Sequence, residues 1–244
     1  MPYHSECGTI FFCRYKMLRK TVLRIRIYMS FYGNGTDFNT AHADYNSIIQ
    51  LAIQLQIWLS IRPISNRYSL QLGGKVKSRD FLYVWWMGHG SGFGPDFCNL
   101  SMDISNTGEK VTDTELTTYI DNVSNYRKRS VAIMTCHSGG MVDNLNTTGN
   151  KTVVLTSSTC SQSSYDALFT CNGIFHAEFN YTLPNALRLK DPCGTAVGSD
   201  YNGNNYVSLS EAHQYNTATM ARSTPQMGDP DGIATTTYIK KKKP

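Results

Sequence analysis

The sequence predicts an α/β fold in which a mostly parallel central sheet is flanked by helices, and three observations carry that prediction. Three apolar runs, Phe81–Met87, Val131–Thr135 and Val153–Thr156, are short, continuous and rich in Val, Ile or aromatic residues. Strands buried on both faces of a parallel sheet have this character. A helix separates the first two runs: Thr112 and Glu115 form a capping box, and Leu116, Tyr119, Ile120 and Val123 repeat at helical spacing. Each run also empties into a segment rich in Gly or Ser, at the edge where open parallel sheets gather their ligands.

Taken in order, residues 1–27 form a basic, poorly defined N-terminal segment. A strand is expected over Arg24–Tyr32 and a helix over Tyr45–Leu59, its apolar residues wrapping most of the circumference. After the three strands a further helix is expected over Ile174–Leu187, kinked or divided by Pro184. Residues 190–207, rich in Gly, Asn and Asp, read as loop, and a short helix opens near Ser208. From Thr224 the chain reads as irregular, ending in a solvated Lys240–Lys243 run. The domain boundaries that follow are 28–235 for the folded body and 236–244 for a basic tail.

The net charge of +5 misleads about surface chemistry. Ten of the 23 basic residues lie before residue 27 or in the last five positions. The body between holds 13 basic against 17 acidic side chains, so no basic face is offered to nucleic acid. No apolar run approaches the roughly 18 residues of a membrane span. Residues 17–33 intersperse Arg and Lys among their apolar positions, unlike the core of a signal peptide. Either the chain stays in the cell or its true N-terminus is missing, in which case a secreted location is favoured. Seven cysteines without CxxC spacing argue against a zinc site. Cys171 and Cys193 are candidates for a bridge in an oxidising compartment, although spacing alone does not pair them. Six Asn-x-Ser/Thr triplets lend only weak support to secretion.

The chemistry sits where the strands end. The first runs into Gly88-His89-Gly90-Ser91-Gly92, the second into Cys136-His137-Ser138-Gly139-Gly140, the third into Ser157-Ser158-Thr159-Cys160. A Cys and a His after successive parallel strands meet at one edge. The thiolate is a strong nucleophile, and the imidazole supports its charge or protonates a leaving amine. Neighbouring glycines let a substrate backbone approach, and the N–H groups of Gly90 and Cys136 are placed for an oxyanion. A lone Cys after a buried strand is most often inert packing; the paired placement is what shifts the balance.

At these residues the sequence resembles the caspase-fold cysteine peptidases, most closely the legumain-like branch and its microbial relatives. Those proteins carry an apolar strand ending in His-Gly and a later one ending in Cys-x-Ser-Gly. Here the strings are Tyr83-Val-Trp-Trp-Met-Gly-His89-Gly90 and Ala132-Ile-Met-Thr-Cys136-His-Ser138-Gly139, with Ser163-Ser164-Tyr165 after the third strand also matching the legumain-like pattern. The separation of His89 from Cys136 is similar to the about 50 residues of caspases. The resemblance implies a caspase-like three-layer sandwich and hydrolysis of a polypeptide through a thioester on Cys136 with His89 as partner. It implies an oxyanion hole from Gly90 and Cys136, and no cofactor for catalysis. His137 reads as structural, from its place on the opposite side of the chain.

Two departures stand out. The legumain pocket draws on an acidic residue two places before the nucleophile, and here that position is Met134, so asparaginyl specificity does not carry over. Met134, Ser157 and Ser158 remain the candidates for contact with substrate. The fold also normally opens with a strand and helix, and residues 1–23 are too few and too basic to supply both, so this opening unit is expected to be incomplete. The competing reading is therefore a truncated, catalytically inactive binding or scaffold protein of the same fold.

One further motif lies at 200–211. Asp200, Asn202, Asn204, Ser208 and Glu211 occupy the oxygen-ligand positions of an EF-hand-like loop, with the carbonyl of Tyr206 between them, so a structural calcium is a candidate ligand. The alternative is that Ser208 and Glu211 are simply the capping box of the helix they open.

Overall fold

The computed structural model describes residues 9–17, 23–30, 76–103, 110–173 and 175–241, and within these the three apolar runs are neighbouring strands of one sheet. Its elements are β1 (Thr9–Met17), β2 (Leu23–Ser30), β3 (Asp80–Met87), β4 (Gly90–Phe93), β5 (Asn99–Asp103) and β6 (Lys110–Thr112). Then come α1 (Asp113–Asp121), β7 (Lys128–Met134), α2 (Gly140–Leu145), β8 (Thr152–Thr156) and α3 (Glu178–Arg188). The chain closes with β9 (Tyr206–Ser208), α4 (Leu209–Thr219), β10 (Gln226–Gly228), a 3₁₀ turn and β11 (Tyr238–Lys241).

The main sheet has the order β10-β8-β7-β3-β1-β2. Its centre, β3-β7-β8, is parallel, and β2 points the same way, whereas β1 and β10 run antiparallel to their neighbours. Alternate side chains of the central strands enter two separate cores. Leu82, Val84, Trp86, Val131, Ile133 and Val154 pack with residues of α1, α2 and β5 on one face. Phe81, Tyr83, Ala132, Met134, Val153 and Leu155 pack with Phe179, Leu183, Leu209 and Ala212 of α3 and α4 on the other. Burial on both faces is why these strands read as unbroken apolar runs. The result is the three-layer sandwich expected.

Several boundaries differ from the sequence reading. The helix anticipated from Ile174 begins at Glu178, because the residues before it fold back on the loop after β8. Asp166 bridges Ala177, and Ala167 N–H bonds His176 O at 2.9 Å. Pro184 stays inside α3 without dividing it; the burial of Phe179, Leu183, Ala186 and Leu187 offsets the hydrogen bond it lacks. The tail is not irregular. Gln226–Gly228 adds to β8 as an edge strand, and β11 carries Lys240 and Lys241 into pairing with Val207 and Tyr206, where a frayed end was expected. Asp229 organises that turn by accepting from the amides of Ile233 and Ala234, both at 2.8 Å. Two strands, β1 and β2, make up all of the described residues before residue 76 and extend the sheet beyond β3, so β1 supplies a strand within the N-terminal segment that was expected to be poorly defined. The helix expected over 45–59 lies outside the described residues.

Candidate active site

The parallel register of β3 and β7 sets Met87 opposite Met134. His89 and Cys136 therefore each stand two residues beyond the last matched pair, on strands about 4.8 Å apart. The ladder continues one step further, Gly88 N–H bonding Met134 O at 3.0 Å. Gly90 then lies against the Cys136 loop so closely that a methyl group there would sit 2.5 Å from Cys136 O and 2.8 Å from Thr135 Oγ1. Only glycine permits that approach. The carbonyl of His89 accepts from Asp103 N–H at 3.0 Å, fixing its backbone. Its ring is exposed, without a hydrogen-bond partner among the described residues, and it is not bonded to Cys136. Cys136 is half-buried, and it is the free thiol among the cysteines whose side chains are described.

Beneath Cys136 lies a knot of hydroxyl groups. Ser138, Ser157 and Ser158 are almost fully buried. Ser138 Oγ accepts from the amides of Ser157 and Ser158, both at 3.0 Å. The hydroxyls of Ser157, Ser158 and Ser164 all donate to the carbonyl of Thr135, at 3.1, 3.3 and 2.8 Å. Every bond here anchors the residue before Cys136 or the turn after it. Ser157 and Ser158, read from the sequence as substrate contacts, are thus placed under the loop with their hydroxyls committed to its support. Met134 is likewise almost buried, within the α3/α4 core. Ser164, which the sequence offered only as part of a pattern, contributes most directly: its amide donates to Cys136 Sγ at 3.3 Å. The amide of Cys136 itself has no acceptor among the described residues.

The turn that follows is tightly held. His137 adopts a left-handed φ of 59°, uncommon for a residue with a side chain. Its ring Nδ1 lies 2.7 Å from Cys160 O, which as a carbonyl only accepts, so the proton is on Nδ1. The ring packs under Gly92, where a methyl would fall 2.8 Å from Nδ1. His137 is therefore a strut of this turn. Two disulfides flank the region. Cys171–Cys193 spans 6.1 Å between Cα atoms, in agreement with the candidate pair named from the sequence. Cys98–Cys160, at 4.6 Å, joins the β4–β5 hairpin to the loop after β8 and was not legible from spacing. Asp191 lies near Cys171 and Cys193 with metal-ligand proximity, but the two sulfurs are bonded to each other, so no thiolate is left for a metal.

A second buried anchor went unnoticed in the sequence. Glu178, 3% exposed, accepts from the amides of Ala221, Arg222 and Ser223 and so ties that segment to the start of α3. Ser223 Oγ in turn accepts from Tyr165 N–H at 3.1 Å, and Arg222 stacks 4.6 Å over the Tyr165 ring. The signal available was a lone acid at a helix start, which sequence alone assigns to capping.

The 200–211 loop has the geometry of a cap. Glu211 Oε1 accepts from the amides of Tyr201 and Asn202, and Oε2 from the amide and hydroxyl of Ser208. Asn202 and Asn204 turn their side-chain oxygens onto the amides of Asn204 and Tyr206. Asp200 Oδ2 accepts from Asn205 N–H, which leaves Oδ1, buried and without a partner, as the carboxylate oxygen still open. A bidentate Glu211, the anchor of such a calcium loop, is already spent on four donors. Glu211 thus serves as the cap of α4, and Asp200 Oδ1 is the carboxylate oxygen left without a donor among the described residues.

An α/β sandwich that sets His-Gly and Cys-x-Ser-Gly beyond neighbouring parallel strands defines the caspase-fold cysteine peptidases. The chain belongs to the peptidase C13 family, the legumain-like branch of that class, whose model matches residues 66–226. Among solved structures it is similar to the crystal structure of protein GSU0716 from Geobacter sulfurreducens. The TM-score is 0.51 at 14% identity, covering 79% of this chain and 85% of that one, a likeness of fold alone. No curated protein matches the chain in sequence.

Proposed function

We propose that the protein is a cysteine endopeptidase in which Cys136 attacks the carbonyl carbon of a peptide bond and His89 serves as its acid–base partner. The observation that carries this reading is the matched register, which sets both residues two places beyond adjacent parallel strands. His89 takes the thiol proton, and the sulfur forms a C–S bond to the carbonyl carbon as the π pair moves onto oxygen. The amides of Cys136 and Gly90 are the donors available to that oxyanion. On collapse the C–N bond breaks, and the imidazolium of His89 gives its proton to the departing amine. Water, deprotonated by the then neutral His89, hydrolyses the thioester and restores the thiol. Ser164 N–H, aimed at the sulfur, is the kind of partner a thiolate requires. Beyond Ser164 the loop carries Leu168 and Phe169, 72% and 82% exposed, on which apolar side chains of an extended polypeptide can lie.

The test is alkylation by iodoacetamide near pH 6, read by peptide mass spectrometry on wild type and His89→Ala, alongside turnover of a fluorogenic peptide library. Preferential labelling of Cys136 that weakens in the variant, with a Cys136→Ala protein at least about 10⁴-fold less active, is expected. Labelling of Cys136 no faster than that of an unactivated thiol would sink the enzyme and leave an inactive scaffold of the same fold.

A further inference from the structure

The turn from His137 to Gly140 passes between two backbones that are themselves covalently joined. A methyl group on Gly139 would sit 2.5 Å from Cys160 N, and one on Gly140 would sit 2.4 Å from Cys98 O. Cys98 and Cys160 thus press on consecutive residues of the nucleophile turn, and their sulfurs are bonded. Each half of the bridge belongs to a different part of the site. Cys98 ends the exposed tip of the hairpin that begins at His89 and Gly90, where β4 pairs with β5 from Gly90↔Met102 to Phe93↔Asn99. Cys160 lies on the loop whose Ser164 amide holds Cys136 Sγ, and its own carbonyl holds His137. β5 has an independent tether, Leu100 N–H to Asp113 Oδ2 at 2.6 Å. The β4 side, with Phe93 and Phe97 42% and 57% exposed, has the bridge as its covalent tie to the Cys136 side.

We propose that Cys98–Cys160 is a positioning clamp for the catalytic pair: it straps the His89 hairpin to the Cys136 support loop across the nucleophile turn. This rests on the peptidase reading above. The clamp is also redox-addressable. A dithiol transfers two electrons and two protons to it, leaving thiols on Cys98 and Cys160 and a cyclic disulfide on the reductant. Activity then falls while the sheet beneath, held by its two cores, stays folded. The reducing power that keeps Cys136 a thiol and the reducing power that opens the clamp act in opposite directions. Turnover should therefore rise and then fall as dithiol increases.

The test compares C98S/C160S with C171S/C193S, the second pair joining the loop before α3 to the loop after it. In the full chain, C98S/C160S is expected to lose about tenfold or more in kcat, with KM changed less. The pH profile of Cys136 alkylation should converge on that of His89→Ala. C171S/C193S should keep both kcat and that profile, whatever its melting temperature. A C98S/C160S protein with wild-type kcat and profile overturns the clamp. If C98S/C160S does not fold, graded dithiothreitol on wild type replaces it. Loss of His89-dependent labelling must then track the appearance of Cys98 and Cys160 thiols, and tracking the Cys171–Cys193 pair instead overturns the proposal. Failure of the peptidase reading is separately visible as wild-type labelling that ignores His89. In that case amide exchange over residues 136–140 decides the clamp: faster exchange in C98S/C160S upholds it, and unchanged exchange rejects it.

Discussion

The turn at 136–140 and the loop at 200–211 carry equally suggestive strings, one reading as a nucleophile motif and the other as a cation loop, yet the folded chain treats them in opposite ways. In the loop, both oxygens of Glu211 and the amide oxygens of Asn202 and Asn204 are consumed by neighbouring backbone N–H groups. In the turn, the hydrogen bonds converge on the carbonyl of Thr135 and on Ser138, the Cys136 thiol meets the backbone N–H and carbonyl of Ser164, and the Cys136 amide and the His89 ring are left unspent among the described residues. Groups that could do chemistry are withheld from the local structure in one place and absorbed by it in the other. A motif signals function when the fold supports it from behind, and structure when the fold uses it up.

The largest effect should come from overfilling the supported turn. Gly139→Ala puts a methyl within 2.5 to 2.9 Å of three backbone atoms, Cys160 N, Thr159 C and Ser158 O, none of which can rotate away. We expect destabilisation of about 1–3 kcal/mol and a loss of Cys136 reactivity that exceeds the loss of stability. Chemical denaturation paired with alkylation separates the two. Should Gly139→Ala keep full reactivity, the turn is looser than its contacts indicate and the contrast with the loop weakens.

Much of this was legible because burial and register leave traces in sequence. Continuous apolar runs announced β3, β7 and β8, and the Thr112–Glu115 and Ser208–Glu211 boxes marked α1 and α4 where the structure places them. The position of His89 and Cys136 two residues past neighbouring strands followed from where the apolar runs end. What did not show was every feature set by long-range contact. The Cys98–Cys160 pairing joins residues 62 apart whose proximity depends on two loops converging. Glu178 looks like any acid at a helix start, yet it gathers three amides from residues more than forty positions away. β10 and β11 were missed because short edge strands among Pro and Gly carry almost no periodicity. Ser157 and Ser158 were placed at the right edge but on the wrong side of the loop, since a serine at a strand end reads the same whether its hydroxyl faces substrate or supports a turn.

A smaller effect tests the loop side of the comparison. Ser208→Ala removes one half of the capping box and should cost about 1 kcal/mol, measured by urea denaturation. Excess chelator should leave the melting temperature of wild type unchanged, because both oxygens of Glu211 already serve the cap. A rise in melting temperature on adding calcium, abolished by Asp200→Asn, would show instead that the loop reorganises around a cation and that Glu211 is released from its cap.

The smallest effect lies one element further on. His213 sits on α4 with its ring largely buried, and burial lowers its pKa below the ordinary 6.5. Its Nδ1 has no hydrogen-bond partner among the described residues. The folded chain therefore holds this proton less tightly than the unfolded chain does. Stability from the neutral ring is complete above the unfolded pKa and is lost as pH falls through the interval toward the folded value. Between pH 7.5 and pH 5 wild type should lose more melting temperature than His213→Gln, by about 2 °C. Parallel losses in the two proteins would mean that the ring finds water or another acceptor on protonation. The α4 face would then be less tightly sealed than the capping box at its start implies.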